Sequence, residues 1–210
     1  MNLNLPKPFI EIAGISILAH TLRAFVDVEN IRQVIIPTSS DYKDPVRRIC
    51  ERELQHIPFV VIGGGSERQF SIMNALSEVN QDCDLVIIHD AVRPFIKKIE
   101  IEACIKAARQ SDAAIVAVPV KDTIKDADKE GIIQATPDRS RLWQAQTPQV
   151  FKTTLIREAY ESAIKEGFLG TDDASLVERL GKKVMIVEGD RLNFKITYPL
   201  DLELAKLILD

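Results

Sequence analysis

Three segments of this 210-residue chain concentrate residue types suited to binding charged ligands. In the first, Gly63-Gly64-Gly65-Ser66-Glu67-Arg68 follows an apolar run ending at Ile62 and leads into a helical stretch containing Met73. Consecutive glycines let a backbone approach a ligand closely, and the helix start behind them offers unpaired amides. Ser66 and Ser71 suit a base or a phosphate, although a flexible turn capped by Ser66 explains the same residues equally well. No Gly-Lys-Ser/Thr follows, so this is not a Walker loop. The second segment is His89-Asp90-Ala91-Val92-Arg93-Pro94. A carboxylate just past a strand end can hold a hydroxyl or stand near a metal ion, with Arg93 bracing it. The plainer alternative makes Asp90 a turn cap and Arg93 its ion-pair partner. His89 reads as a hydrogen-bonded structural histidine, and His20 and His56 as surface residues. The third is a scattered basic set, Lys7, Arg139, Arg141 and Lys195. Each alone reads as solvated charge, but together, beside loops of one rim, they suggest a phosphate pocket. There is no G-x-S-x-G, no paired-histidine metal motif and no Cys/His nucleophile arrangement. Chemistry here would rest on cations, amides and positioning.

Open α/β sheets bind ligands outside the carboxyl ends of their strands, and the elements around these segments fit that architecture. Short apolar runs at 33–37, 59–62, 85–89, 113–118 and 184–187 read as strands buried on both faces. Helical periodicity covers 16–25, with Ile17, Leu18, Thr21, Leu22 and Phe25 on one side, and also 99–109 and 154–165. Thr171-Asp172-Asp173 reads as a cap before a short helix that Gly181 ends, and Pro199 introduces a last helix through Leu209. The segment 122–139 breaks the rhythm. It reads as a two-stranded arm turning near Gly131 with few large apolar residues. A hairpin alone is marginal in water, so a partner subunit is its simplest support. The expected fold is a single α/β domain over 1–210, with a Rossmann-like, mostly parallel sheet, flanking helices and this projecting arm.

The bulk properties narrow the classes further. Hydrophobic residues make up 46% and charged residues 28%, an ordinary globular balance. A net charge of −4 argues against general nucleic-acid or anionic-membrane binding. Cys50, Cys83 and Cys104 are an odd number without C-x-x-C spacing, which suits reduced thiols in a cytoplasm. No apolar run is long enough to span a bilayer, and the first residues do not form a signal peptide.

Eight short strings then occur in order. They are Pro6-Lys7-Pro8-Phe9, Gly64-Gly65 with Arg68 and Ser71, His89-Asp90-Ala91-x-Arg93-Pro94 and Pro119-Val120-x-Asp122-Thr123, followed by Asp138-Arg139-x-x-Leu142-Trp143, Gln146-Thr147-Pro148-Gln149, Thr171-Asp172-Asp173 and Asn193-x-Lys195-Ile196-Thr197. The set resembles the 2-C-methyl-D-erythritol 4-phosphate cytidylyltransferases of non-mevalonate isoprenoid synthesis, essentially from end to end. Ribitol 5-phosphate cytidylyltransferases share most of it. The resemblance implies a nucleotide-diphospho-sugar transferase type of fold and transfer of CMP from CTP to a polyol phosphate. It places Lys7 on the CTP phosphates, and Gly64, Gly65, Ser66, Ser71 and Ala91 in the CTP site. Position 66 is often acidic in the family, and Ser66 departs from that. Asp90, Arg93, Thr123, Thr147 and Thr171 would form the acceptor pocket. Arg139, reaching across a homodimer through the 122–139 arm, and Lys195, from its own subunit, would position the acceptor phosphate. Mg²⁺ would be held largely by phosphates and water, with Asp90 and Asp190 as candidate neighbours.

Family members begin with a strand and a glycine-rich loop ending in Arg-Met, and Met1 aligns with that Met. The missing strand would lie centrally, so its loss would leave two unpaired inner edges and a hole in the core. The expectation is that the natural chain extends upstream of Met1, and that the 210-residue form alone is poorly stable and inactive. A non-catalytic, dimerising nucleotide-binding protein is the alternative of another class.

Overall fold

The structure, a computed structural model, describes residues 5–209. Pro6 opens a single 3₁₀ turn over Lys7–Phe9. A two-residue hairpin follows, β1 (Glu11–Ile12) and β2 (Ile15–Ser16). Ser16 caps α1 (Ile17–Val26), accepting from the Ala19 amide at 3.3 Å. Then come β3 (Val34–Thr38), α2 (Lys43–Glu53), β4 (Phe59–Gly63), α3 (Arg68–Ser77), β5 (Leu85–Ile88), α4 (Lys98–Ser111) and β6 (Ala113–Pro119). The arm is β7 (Asp126–Ala127) paired with β8 (Ile133–Ala135), turning at Gly131 with φ +83°. The chain closes with β9 (Trp143–Lys152), α5 (Thr153–Lys165), α6 (Asp173–Arg179), β10 (Met185–Glu188) and α7 (Pro199–Leu209).

The five strands read from apolar runs all form, shifted by a residue at most ends. Besides the short β1–β2 hairpin, two longer elements were not legible. The helix α2 carries few apolar residues, but Val46, Cys50 and Glu53 fall on one buried face, and Pro45 sits in its first turn, where a missing N–H costs nothing. The ten-residue strand β9 hides behind polar residues and Pro148. It runs antiparallel between β5 and β6, giving the order β10-β6-β9-β5, whereas β10 and β6 pair in parallel. The large sheet is therefore mixed. The ladder of β9 breaks where Val116 alone stands opposite Gln146–Pro148. Such bulges re-aim side chains near sites, and this one frees Gln146 and Thr147 to engage the neighbouring loops.

The core has two faces. Residues of α3, α5 and α6, among them Leu76, Leu155, Ile156 and Leu176, pack with Phe151 and Ile88. On the other face, α1 and α2 cover β3 and β4 through Leu18, Leu22, Val46 and Cys50, while α4 covers β6 and β9. The strand β6 is buried over Ala113–Val118. By contrast, β3 is only half-buried along its whole length. It pairs in parallel with β4 alone, in a separate two-stranded sheet. Between β3 and β5 lies a cavity of about 880 Å³.

Candidate functional site

The carboxyl ends of β3, β4 and β5 share one rim. After β4, the Gly64 amide donates to the Thr38 carbonyl at 2.8 Å, and the Ser71 hydroxyl accepts from the Gly65 amide at 3.0 Å. A side chain on Gly65 would come within 2.4 Å of Phe70 Cβ and 2.9 Å of its backbone carbon, so only glycine fits this turn. Gly64 is tight as well, with Ser71 Oγ 3.3 Å from where a Cβ would sit. The residue flanking α3 is Glu67, which makes no side-chain cap, so the capping reading of Ser66 does not hold. Ser66 is exposed.

After β5, the Asp90 carboxylate gathers three cations. Arg93 Nε lies 3.1 Å away, Lys195 Nζ 3.3 Å and Arg68 Nε 3.8 Å. Burial pushes this carboxyl up, but Lys195, Arg93 and Arg68 outweigh it and hold it below the usual carboxylate range. With Asp90 and Arg68's other partner Asp173 both ionised, the cluster carries one net positive charge in an acidic chain. Arg93 is nearly buried and also donates to the Asn193 carbonyl at 2.9 Å, so it acts as a brace. Lys195 and Arg68 are about half-exposed.

Arg68 was legible only as part of a family string, without a role. Its other face grips Asp173, which has no exposed surface, through two hydrogen bonds of 3.1 and 2.6 Å. The Tyr160 hydroxyl also donates to Asp173. Burial raises the Tyr160 phenol, and Asp173 raises it further, so it stays a neutral donor.

A second network shapes the 89–93 loop. The Asp90 amide donates to Thr147 Oγ1 at 3.0 Å, and that hydroxyl meets His89 Nδ1 at 3.1 Å. On the ring's other side His89 Nε2 meets the Arg93 carbonyl at 3.1 Å. A carbonyl only accepts, so the neutral ring carries its proton on Nε2 and accepts at Nδ1. His89 is structural, as its sequence context suggests, and Thr147 is committed to the scaffold beneath Asp90. His20 departs from its surface reading, because its Nε2 lies 3.0 Å from the Ile12 carbonyl and the residue is half-buried.

Burial lowers the His89 pKa to about 4. Below an unfolded value of about 6.5 the unfolded chain therefore binds a proton that the native state refuses. Stability from this group is full above pH 6.5 and is lost as the pH falls toward 4. Unfolding midpoints of the wild type should fall across that window, and His89→Gln should flatten the slope. Equal slopes in urea titrations of both proteins would contradict this assignment.

Other expected residues are placed apart. Lys7 Nζ donates to the Thr197 carbonyl at 2.5 Å, which ties the first turn to the segment bearing Lys195. Thr171 is exposed, on a loop held by two buried glutamines that sequence reading missed. Gln69 bonds the Phe168 carbonyl and the Gly170 amide, and Gln149 bonds Asp172 and the Ala174 amide. Thr123 and Arg139 lie at the arm, both exposed, and Arg139 donates to the Lys121 carbonyl at 3.0 Å rather than to the Asp90 cluster. Asp190 pairs with Lys97 at 2.5 Å and accepts from the Leu192 amide. None of the described contacts joins it to Asp90. Among the described residues there is no cluster of three or more His, Cys, Asp or Glu arranged for a metal.

A glycine turn beside a convergent cation cluster, at the carboxyl rim of an α/β sheet, makes a site for a phosphorylated ligand, and the relatives of this chain are nucleotidyltransferases. The family model for 2-C-methyl-D-erythritol 4-phosphate cytidylyltransferase matches residues 1–210. A relative of that name from Caldanaerobacter subterraneus subsp. tengcongensis is 48% identical over 210 residues, covering all of this chain and 92% of the relative. One from Clostridioides difficile is 40% identical, covering all of this chain and 88% of its own length. Among solved structures, the 4-diphosphocytidyl-2C-methyl-D-erythritol synthase from Anaerococcus prevotii superposes with a TM-score of 0.91 at 32% identity, covering 98% of this chain and 90% of that one. The Thermus thermophilus cytidylyltransferase gives 0.79 at 34% identity, covering 97% and 93%. The chain belongs to the 2-C-methyl-D-erythritol 4-phosphate cytidylyltransferase family.

Proposed function

We propose that this protein transfers CMP from CTP to 2-C-methyl-D-erythritol 4-phosphate and releases pyrophosphate. The observation that carries the reading is the convergence of Arg68, Arg93 and Lys195 on Asp90 beside the Gly64-Gly65 turn. An acceptor phosphomonoester has a second pKa of about 6 and is already largely dianionic near neutrality. Its oxygen attacks the α-phosphorus of CTP, a new P–O bond forms, and the bond to the β-phosphate breaks. No general base is required. The protein's task is to bring two polyanions together and to offset the charge that develops at the α-phosphorus. Half-exposed Lys195 and Arg68 supply positive charge at the rim, and Lys7 enters from the turn tied to Thr197. Gly64, Gly65, Ser71 and Ala91 form the side facing the nucleotide, while Asp90 offers the acceptor's hydroxyls an acceptor group.

Both candidate carboxylates for Mg²⁺ are engaged, Asp90 by three cations and Asp190 by Lys97. This donor set suits a magnesium ion carried on the CTP phosphates and water, with few protein ligands. Held there as part of the nucleotide substrate, it would shield charge on the triphosphate.

The same reading makes the protein a cytoplasmic homodimer. Its support is the arm, where Ile124, Ile132 and Ile133 are exposed and both strands lie open to solvent. Arg139 at the base of the arm would then serve the neighbouring subunit's acceptor phosphate. If so, inactive Arg139→Ala subunits mixed with inactive Lys195→Ala subunits recover part of the activity. Verified heterodimers without recovery would contradict a shared site.

The direct test is pyrophosphate release from CTP with each of two acceptors. Methylerythritol 4-phosphate should support faster turnover than ribitol 5-phosphate. The reverse order would move the protein to the ribitol reaction, and no release with either would refute the reading.

A further inference from the structure

Lys195 reaches Asp90 from residues 189–198, which form neither helix nor strand. The first half of this loop is nevertheless fastened at almost every residue. Gly189 extends the parallel pairing of β10 with β6, its amide donating to the Ala117 carbonyl at 2.9 Å. A side chain there would come within 2.3 Å of Val116 Cγ1 and 3.0 Å of Gln146 Oε1, so the chain runs hard against β6 and β9. Asp190 is held at both ends of its backbone. The buried carboxylate of Glu100, in the first turn of α4, accepts from the Asp190 amide at 2.5 Å and from the Lys97 amide at 3.0 Å. Gln146 Nε2 donates to the Asp190 carbonyl at 3.1 Å. Further on, the Ile196 amide donates to the Val92 carbonyl at 2.9 Å and joins the loop to the turn that carries Asp90 and Arg93.

At the centre lies Asn193, which has no exposed surface. Its Nδ2 donates to Gln146 Oε1 at 3.0 Å and to the Thr147 carbonyl at 2.9 Å, so both amide hydrogens go to β9. A backbone carbonyl only accepts, which fixes the amide nitrogen on that side. Oδ1 is then buried without a hydrogen-bond partner. Native folds seldom leave a buried acceptor so, because it loses its hydration and gains nothing in return. The arrangement makes sense where the two donors set a geometry that the site requires. The Asn193 carbonyl also accepts from Arg93 Nη1 at 2.9 Å, and Lys195 is two residues along the chain. Two of the three cations on Asp90 therefore trace back to one side chain, whereas Arg68 has its own anchor in Asp173.

We infer that Asn193 and Gln146 are positioning residues: their paired amides clamp the 189–198 loop onto β9 and thereby set Lys195 and Arg93 against Asp90. Gln146 uses its two amide atoms in opposite senses, accepting from Asn193 and donating to Asp190, so its isosteric acid cannot replace it. Both residues are buried and act through the two cations. The effect on turnover rests on the function proposed above, whereas the placement of Lys195 does not.

The test separates hydrogen bonding from shape. Asn193→Asp keeps the volume but turns an anion toward two acceptors, and Asn193→Ala removes the side chain. Gln146→Glu keeps the acceptor for Asn193 but turns an oxygen toward the Asp190 carbonyl. Lysine acetylation by a small amine-reactive ester, followed by mass spectrometry, reads the placement of Lys195 without any substrate. In both Asn193 variants Lys195 should label about two- to fivefold faster, as expected on release from an ion pair. Exposed Lys182 serves as the internal standard and should not change. In Asn193→Asp, kcat/KM for the polyol phosphate should fall about 10²-fold, the scale of a misplacement of about 1 Å. The KM for CTP should change less, and Gln146→Glu should have a smaller effect of the same kind. A packing role predicts the opposite order, with Asn193→Asp close to wild type and Asn193→Ala impaired, and that order would overturn the inference. So would unchanged Lys195 labelling in Asn193 variants whose circular dichroism matches the wild type. If neither Asn193 variant folds, unchanged labelling in Gln146→Glu would overturn it in their place. Faster labelling with wild-type turnover would uphold the positioning and remove Lys195 from the proposed reaction.

Discussion

Asp173→Ala should lower the unfolding free energy by about 2–4 kcal/mol, because its buried carboxylate serves both a part-exposed guanidinium and a buried phenol. Asp173 has no exposed surface, and it satisfies both Arg68 and the Tyr160 hydroxyl. Truncation leaves that hydroxyl buried without an acceptor and releases the guanidinium. A domain is typically stable by only about 5–15 kcal/mol, so the loss is a large share of the total. Asp173→Asn keeps the volume and a carbonyl for Tyr160, and should cost less. Urea unfolding of the three proteins measures the difference. A shift under about 1 kcal/mol for Asp173→Ala, the scale of an exposed pair, would mean that the pair is solvated and that Arg68 is positioned by something else.

The second large effect falls on Asp90. Its carboxylate meets all three cations, with Asp173 holding Arg68 from the other side, and it is itself mostly buried. In Asp90→Ala, Lys195, Arg68 and Arg93 repel one another and lose their common anchor. If about 3–4 kcal/mol of preorganisation is lost from the transition state, kcat/KM falls by roughly 10² to 10³. The KM for the polyol phosphate should rise more than that for CTP, because Asp90 faces the acceptor's hydroxyls in the proposed reaction. Asp90→Asn retains an acceptor oxygen and should recover part of the acceptor affinity, though not the cation geometry. Steady-state kinetics with each substrate varied in turn makes the comparison. A kcat/KM within about threefold of wild type would remove Asp90 from the site.

These effects concern residues of unequal visibility in the sequence. Asp90 stood out because a carboxylate directly after an apolar run marks a strand end. The glycine turn stood out for the same reason, and the geometry around Gly65 shows why that residue must be glycine. The cap at Asp172 was nearly legible, and its side chain accepts from the Ser175 amide at 2.9 Å. Asp173, one residue on, gave no sign of its role. It sits at a helix start where an acidic residue is ordinary, and its partner Arg68 is 105 residues away. Gln69 and Gln149 were silent too, since a glutamine in a helix or a strand reads as surface until the fold buries it.

What the sequence determined by itself was local: apolar runs of strand length, helical periodicity, capping residues, the arm's turn at Gly131 and a set of ordered strings that resembles one family. These follow from backbone preference and from the two side-chain periods, which act over a few residues. The tertiary structure alone decided that β9 threads antiparallel between β5 and β6, and that its bulge turns Gln146 and Thr147 toward the loops. It alone decided that Arg68, Arg93 and Lys195 meet at one carboxylate, and that β3 and β5 line one cavity. Such meetings depend on sheet order, register and crossover direction, which are settled by burying distant faces together and which no local pattern encodes.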